Sequence, residues 1–239
     1  MGLAEAFSDT LHEQLQVYAA WFPVVNTIKV GDFGLIESGV FRSMGNVSKF
    51  GIEVVTASGK DADIDFVSEG TTVTRFVAGG KVDRFPPVGD LEAKLELEFT
   101  RDNSCMIKAK LSVIEMQDIH GVAKKLKDLN NWDNDFKVVS CTYSGEKCVV
   151  LACREAGTKV SFTGKANILQ GVDLGKVELG PSFESTSNAC FKSIGETGVV
   201  GIRLFQLGFF GGPKLLGKEG RKSAQIKAEM LTGKLKNDL

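Results

Sequence analysis

The sequence predicts an α+β fold, a twisted and mainly antiparallel central sheet with flanking helices. Three observations carry this. Leu91, Ala93, Leu95, Leu97 and Phe99 alternate with Glu92, Lys94, Glu96 and Glu98, the period of a two-faced strand. Leu3, Phe7, Leu11 and Leu15 recur every four residues with Glu5, Asp9 and Glu13 between them, the stripe of an amphipathic helix. Glycine and Ser/Asn/Asp turn signals then divide much of the remainder into short apolar runs suited to strand reversal.

Taken in order, the first helix is expected over 3–17. Glycines at 31, 34 and 39 punctuate two short strands that turn at Glu37, Ser38 and Gly39, and residues 46–51 read as one helical turn stopped by Gly51. The strand 91–99 is expected to form a hairpin through the turn 101–104 with a second strand, in which Cys105, Ile107, Ala109, Leu111 and Val113 share a parity. That pairing would set Glu96 and Glu98 near Lys108 and Lys110. Ile119, Val122, Leu126 and Leu129 mark a second helix, ended by Asn130 and Asn131. Two strands are expected from 136 to 152 around a turn at 144–146, and a second long hairpin over 158–191, in which Val160, Phe162, Ala166 and Ile168 share one face. A last strand over 198–207 precedes the glycine-rich break 208–213, the best linker in the chain. Domain boundaries follow as 1–212 for the main α+β domain and 213–239 for a basic C-terminal tail, in which Ala224, Ala228, Leu231 and Leu235 mark a short helix.

Composition narrows the function. A quarter of the residues are charged and the net charge is −1, so neither a disordered nor a fibrous class fits. The tail carries seven basic and three acidic residues, a balance of +4, against −5 for the other 212 residues. It is therefore complementary to the body, and equally to an anionic membrane surface. The longest apolar stretch, 199–210, is broken by Arg203 and Gln206 and is shorter than the roughly 20 residues of a spanning helix. Glu5 and Asp9 stand where a secretory signal would be basic and then apolar, so export by that route is not expected.

No catalytic or metal-binding constellation emerges, and no enzyme, cofactor or nucleic-acid partner is expected. His12 and His120 both fall in expected helices and outside any catalytic motif. The GxSxG, HExxH, Walker and GxGxxG patterns are missing. Asp61, Asp63 and Asp65 at even spacing more simply form one solvated face of a strand than a calcium site, and Lys124, Lys125 and Lys127 a solvated helix side. The five cysteines, Cys105, Cys141, Cys148, Cys153 and Cys190, are odd in number and form no CxxC pair, so reduced, buried thiols are expected.

The alternating strands have two readings. Nine residues reach about 30 Å, close to the span of a tilted strand in a membrane barrel, whose apolar parity would face lipid and whose Glu/Lys parity would face water. The same parity could instead pack one sheet face onto helices in a soluble domain.

The order of elements resembles the pore-forming domain of gasdermins, particularly the bacterial kind with a short inhibitory tail. The likeness rests on Tyr18 to Pro23, then Gly31, Phe33, Leu35, Ile36, Gly39, Phe41 and Val47. It continues through the strand 91–99, the helix 119–129, the run from Phe136 to Tyr143, and the strand 199–207 with Arg203, Leu204 and Phe205. The resemblance implies a soluble, autoinhibited monomer or dimer, cytoplasmic until activation relocates it to the membrane. There the segments 62–99 and 158–191 would refold into adjacent transmembrane hairpins of a homo-oligomeric ring that permeabilises the cell in death or defence. Leu91, Ala93, Leu95, Leu97 and Phe99 would insert, with Val160, Phe162, Ala166 and Ile168 in the second hairpin. Ala224, Ala228, Leu231 and Leu235 would belong to the inhibitory tail. An activating protease would cut in the linker holding Gly212, Leu216, Gly217, Arg221 and Lys222. The chain departs from the bacterial pattern in having no cysteine near Met1 to acylate, and Ala6 stands where N-myristoylation wants Ser or Thr. Two alternatives are a non-catalytic β-rich binding or scaffold module, and a disulfide-gated pore-former restrained by an intermolecular bond.

Overall fold

The computed structural model describes residues 2–20, 26–86, 90–173, 181–186, 190–208 and 211–216. The chain begins with α1 (Leu3–Leu15), β1 (Tyr18–Ala19), β2 (Asp32–Glu37) and β3 (Val40–Asn46). It continues through β4 (Thr56–Ser58), β5 (Ala62–Val67), β6 (Thr71–Val77), β7 (Gly80–Val82), β8 (Glu92–Phe99) and β9 (Ser104–Met116). After α2 (Ile119–Lys127) come β10 (Lys137–Cys153), β11 (Thr158–Lys165), α3 (Ala166–Asp173), β12 (Ser182–Ser185), β13 (Cys190–Leu207) and β14 (Pro213–Leu215). Every strand pairing whose register is described is antiparallel, so the α+β class holds.

Two compact units divide the chain, one of Met1–Thr10, Asp63–Leu111 and Gly145–Gly198, the other of Leu11–Ala62, Ser112–Ser144 and Val199–Leu239. The first holds a five-stranded sheet in the order β12-β11-β8-β6-β7. Its core joins Leu95, Leu97 and Phe99 of β8 to Val160 and Phe162 of β11. Met106 of β9, Val149 and Leu151 of β10, and Ala166, Leu169 and Val172 of α3 complete it.

In the second unit β2 and β3 form the expected hairpin, with Ser38 and Gly39 both at positive φ, the turn that the strand twist favours. The expected helical turn is the single 3-10 turn Val47–Phe50, where Asn46 accepts from the Ser48 N–H and Gly51 closes it in the left-handed region. β2 lies beside β10, and β10 beside β13. Phe33 is ringed by Phe50, Trp132 and Phe136 at centroid distances of 5.2–5.5 Å, over a core that includes Val122, Ala123 and Leu126 of α2. Asp118 caps α2 by accepting from the Gly121 N–H, and the helix ends at Asp128, two residues before Asn130.

Five expectations need correction. β8 and β9 are not hairpin partners: β8 lies between β6 and β11, whereas β9 pairs with β4, β5 and β10. Alternation fixes which side of a strand is greasy, not which strand lies next to it. Here Lys108 is 3% exposed, so β9 has no wet parity over that stretch to match the one on β8. Residues 144–146 make no reversal, because β10 runs unbroken for 17 residues and takes up its polar stretch with a positive φ at Lys147, whose N–H donates to Thr197 Oγ1. The segment 158–191 is interrupted by α3. Finally, β13 starts at Cys190 rather than 198, and Gly212 is a turn, not an exit: β14 returns along β13, pairing Leu215 with Phe205.

The hairpin of β2 and β3 is unusually close at one point. A Cβ added at Gly34 would fall on the Arg42 carbonyl oxygen. Gly34→Ala is therefore expected to cost about 2 kcal/mol or more, read as a lowered thermal midpoint with unchanged far-ultraviolet dichroism at low temperature.

Candidate functional site

The five-stranded sheet is assembled wholly from the two segments that the sequence singles out, 62–99 and 158–191. They meet along eight residue pairs, from Thr158 opposite Phe99 to Lys165 opposite Glu92. Because side chains alternate across a strand, one face collects Leu95, Leu97, Phe99, Val160 and Phe162, all fully buried. The other face collects Glu92, Lys94, Glu96 and Glu98 with Lys159, Ser161, Thr163 and Lys165 opposite. Thr72 and Thr74 extend it onto β6. Charge is balanced locally, with Lys94 paired to Glu96 and Lys159 3.7 Å from Glu98. An open groove of about 800 Å³ lies on this wet side, lined by Phe76, Glu92, Lys94, Thr163 and Lys165.

The expected site residues fall unevenly. Ala93, Leu95, Leu97, Phe99, Val160 and Phe162 share the buried face. Leu91 does not: it precedes β8 and is 52% exposed. Ala166 and Ile168 belong to α3, not to a strand. The reason is a change of period at Ala166, where Ala166, Leu169 and Val172 recur every three residues and turn one helical stripe into the core. Gly212 lies in the turn before β14, and Leu216 donates its N–H to the Leu204 carbonyl. Gly217, Arg221, Lys222, Ala224, Ala228, Leu231 and Leu235 lie outside the described residues.

Corners connect the sheet to the long strands. Between β5 and β6 the chain turns at Ser68, Glu69 and Gly70. Between β8 and β9 it turns over 100–103, and between β10 and β11 over 154–157. Asn103, Gly70 and Gly157 take positive φ there, and glycine meets that demand without a Cβ clash. The corners hold one another: Thr100 N–H donates to the Gly70 carbonyl, Asn103 N–H to that of Arg154, and Gly157 N–H to that of Phe99. Strand order matches on the two sides of the corners, since β6 adjoins β8 while β5 adjoins β9, and β11 adjoins β12 while β10 adjoins β13.

Two features escape a reading of the sequence alone. One is ionic. Arg75 donates from Nε and Nη2 to the two Asp173 carboxylate oxygens at 2.7 and 2.8 Å, and Lys108 Nζ donates to Asp173 Oδ1 at 2.8 Å and to its carbonyl at 2.9 Å. Burial pushes the Asp173 carboxyl up, but the hydrogen bonds from Arg75 and Lys108 outweigh it and hold the group below its ordinary value. The signal was present in the sequence as a charge on the wrong parity, for Arg75 sits between Val73 and Val77. The other feature is covalent. Cys153 and Cys190 form a disulfide with 4.2 Å between Cα atoms, against the expectation of five reduced thiols. Spacing along the sequence does not show that one cysteine ends β10 and the other begins β13, two strands that run side by side. Cys105, Cys141 and Cys148 are free and buried, and burial pushes their thiols up to about 12, 11 and 11, away from nucleophilic chemistry. His12 stacks on Tyr18, and His120 is exposed on α2.

No family model and no curated protein sequence matches the chain. Among solved structures it is similar to the Gasdermin A3 membrane pore, at 8% identity over 93% of this chain and 97% of that chain, with a TM-score of 0.36. It is also similar to a bacterial gasdermin from Bradyrhizobium tropiciagri, at 11% identity over 88% and 90% of the two chains, with a TM-score of 0.39.

Reduction of the disulfide, which closes a sequence separation of 37, is expected to lower stability by about 2–4 kcal/mol, seen as the difference between thermal melts with and without a phosphine reductant. The depressed Asp173 carboxyl stabilises the fold at every pH above the ordinary carboxylate value of 3.8, and this contribution is lost as pH falls through the lower folded value. The melting-temperature gap between wild type and Asp173→Asn should accordingly hold from neutral pH to about 5 and narrow below about 4.

Proposed function

We propose that this chain is a pore-former of the gasdermin kind, acting without catalysis by membrane permeabilisation. The observation that carries the reading is the pairing preserved across the corners. Straightening the corners would join β5 to β6, β8 to β9, β10 to β11 and β12 to β13 without exchanging any strand's neighbour, and two long hairpins would result. The eight residues of β8 reach about 26 Å, near the roughly 25 Å apolar band of a membrane barrel. Leu95, Leu97, Phe99, Val160 and Phe162 would then exchange a protein cover for lipid. The charged parity would meet water, as it already does. Closure of many copies into a ring satisfies the strand edges that a lone hairpin could not bury.

In this reading the resting chain is a cytoplasmic monomer or dimer, and residues 213–239 supply the restraint. The proposed trigger is a protease acting near the C-terminal linker, with cell death or defence as the outcome. Since β14 is paired into its sheet, the part of the linker from Gly217 to Lys222 is the better target than Gly212 itself. Lipid, protease and further copies of the chain are the partners.

A second reading, the disulfide-gated pore, takes support from the Cys153–Cys190 bond, but in a different form from a covalent dimer. The bond closes within one chain, and the three remaining thiols are buried. The binding-module reading needs only that the sheet stay as it is.

Dye release from vesicles of phosphatidylcholine and phosphatidylserine separates these. Protein cut between Gly217 and Lys222 is expected to empty vesicles at least about tenfold faster than the intact chain, a barrier change of ~1.4 kcal/mol. Release confined to reduced protein would favour redox gating. No release from intact, cut or reduced protein would leave the binding module standing.

A further inference from the structure

We propose that Arg75, Asp173 and Lys108 form an ionic latch that keeps the two insertable segments folded, and that Arg75 opposes insertion a second time once the latch has opened. The inference rests on the pore-forming reading for its consequence, though not for its geometry.

Each member comes from a different part. Arg75 lies on β6 in the first segment, and Asp173 is the last residue of α3 in the second. Lys108 lies on β9, the strand into which the first segment leads at its corner. Asp173 is therefore a single carboxylate gripped by both of the elements that would have to part from it. The grip is specific in geometry, two parallel N–H bonds from the guanidinium and two from the ammonium, one of them to the backbone carbonyl that ends the helix. Side-chain exposures of 21, 13 and 4% for Arg75, Asp173 and Lys108 place the cluster largely out of water, where ion pairs are screened least. Asp65 of β5 adds a fourth charge, 3.3 Å from Lys108.

The position of Arg75 within its strand gives the second action. It stands opposite Leu95, on the greasy parity, between Val73 and Val77. In the folded state the cost of a cation there is offset by Asp173. In a straightened hairpin, β6 would keep its place beside β8, while Asp173 would leave with the connection between β11 and β12. Arg75 would then face lipid without its carboxylate, a penalty that grows with depth in the bilayer. One arginine thus stabilises the closed state and destabilises the open one.

This predicts an order that ordinary loss of stability does not. Asp173→Asn leaves two cations without their shared carboxylate, so it should be the less stable variant. Arg75→Met leaves Asp173 with Lys108 and keeps an apolar chain of similar length on the core face, so it should be the more stable one. Insertion should run the other way. Arg75→Met breaks the link between the two segments and removes the lipid-facing charge, leaving only the Lys108 contact, whereas Asp173→Asn breaks both side-chain links but keeps that charge on the face that must enter lipid.

The test uses the full-length chain, each variant and wild type, on phosphatidylcholine–phosphatidylserine vesicles holding a self-quenched dye, with thermal midpoints measured on the same samples. The expected leakage order is Arg75→Met, then Asp173→Asn, then wild type, with Arg75→Met faster than wild type by about tenfold or more, while the midpoints rank wild type, Arg75→Met, Asp173→Asn. Hydrogen exchange without vesicles supplies the independent readout. Both variants should lose protection in α3 and β6 and keep it in β10. Leakage that follows the order of instability, or unchanged exchange in α3, overturns the latch. Faster exchange in α3 with no leakage from any form, protease-cut wild type included, upholds the latch and overturns the pore-forming reading instead.

Discussion

The constraint on which the rest depends is the buried face of β8. Leu95, Leu97 and Phe99 are withdrawn from water completely. Keeping three such side chains dry contributes roughly 5–9 kcal/mol, as much as the whole net stability of many domains. The cover over them can therefore be exchanged but not dispensed with. In the folded chain it comes from α3 and from Met106, Val149 and Leu151 on the long strands. Any other conformation available to this sequence must provide a substitute of equal apolarity, and a bilayer interior is one of the few environments that does.

The opposite face and the edges shape what the folded chain avoids. Lysines on β11 lie across from glutamates on β8, so the wet side is close to neutral and asks for no counter-ion. The sheet ends on β7 and β12, of three and four residues, which offer little backbone to a passing copy of the chain. Short edges guard against premature strand pairing. The long strands carry no such protection by length, since β10 has 17 residues and β13 has 18, but they flank each other in the interior of their sheet.

Much of this was legible in the residues, and the failures share one cause. Local periodicity identified α1, α2, the hairpin of β2 and β3, the capped turn before Gly51 and the dry parity of β8 and β11, because each of these is decided within a few neighbouring residues. Pairing is decided elsewhere. The partners of β8 on β11 lie 59 to 73 positions away, from Thr158 opposite Phe99 to Lys165 opposite Glu92, and nothing in residues 91–113 says that the nearer strand is refused. The disulfide and the ionic cluster were hidden for the same reason, since both join positions that only the topology brings together. Two signs were nevertheless present: a charge on a greasy parity at Arg75, and a shift from period two to period three at Ala166.

The bond between Cys153 and Cys190 encloses residues 154–189 in a covalent lasso. A peptide bond severed anywhere inside that lasso leaves both new ends attached to the parent molecule. Damage to the second segment would consequently yield no released fragment and no change in apparent mass until a reductant is added. A chain broken there still holds the two halves of β11 and β12 at high local concentration, able to find each other again.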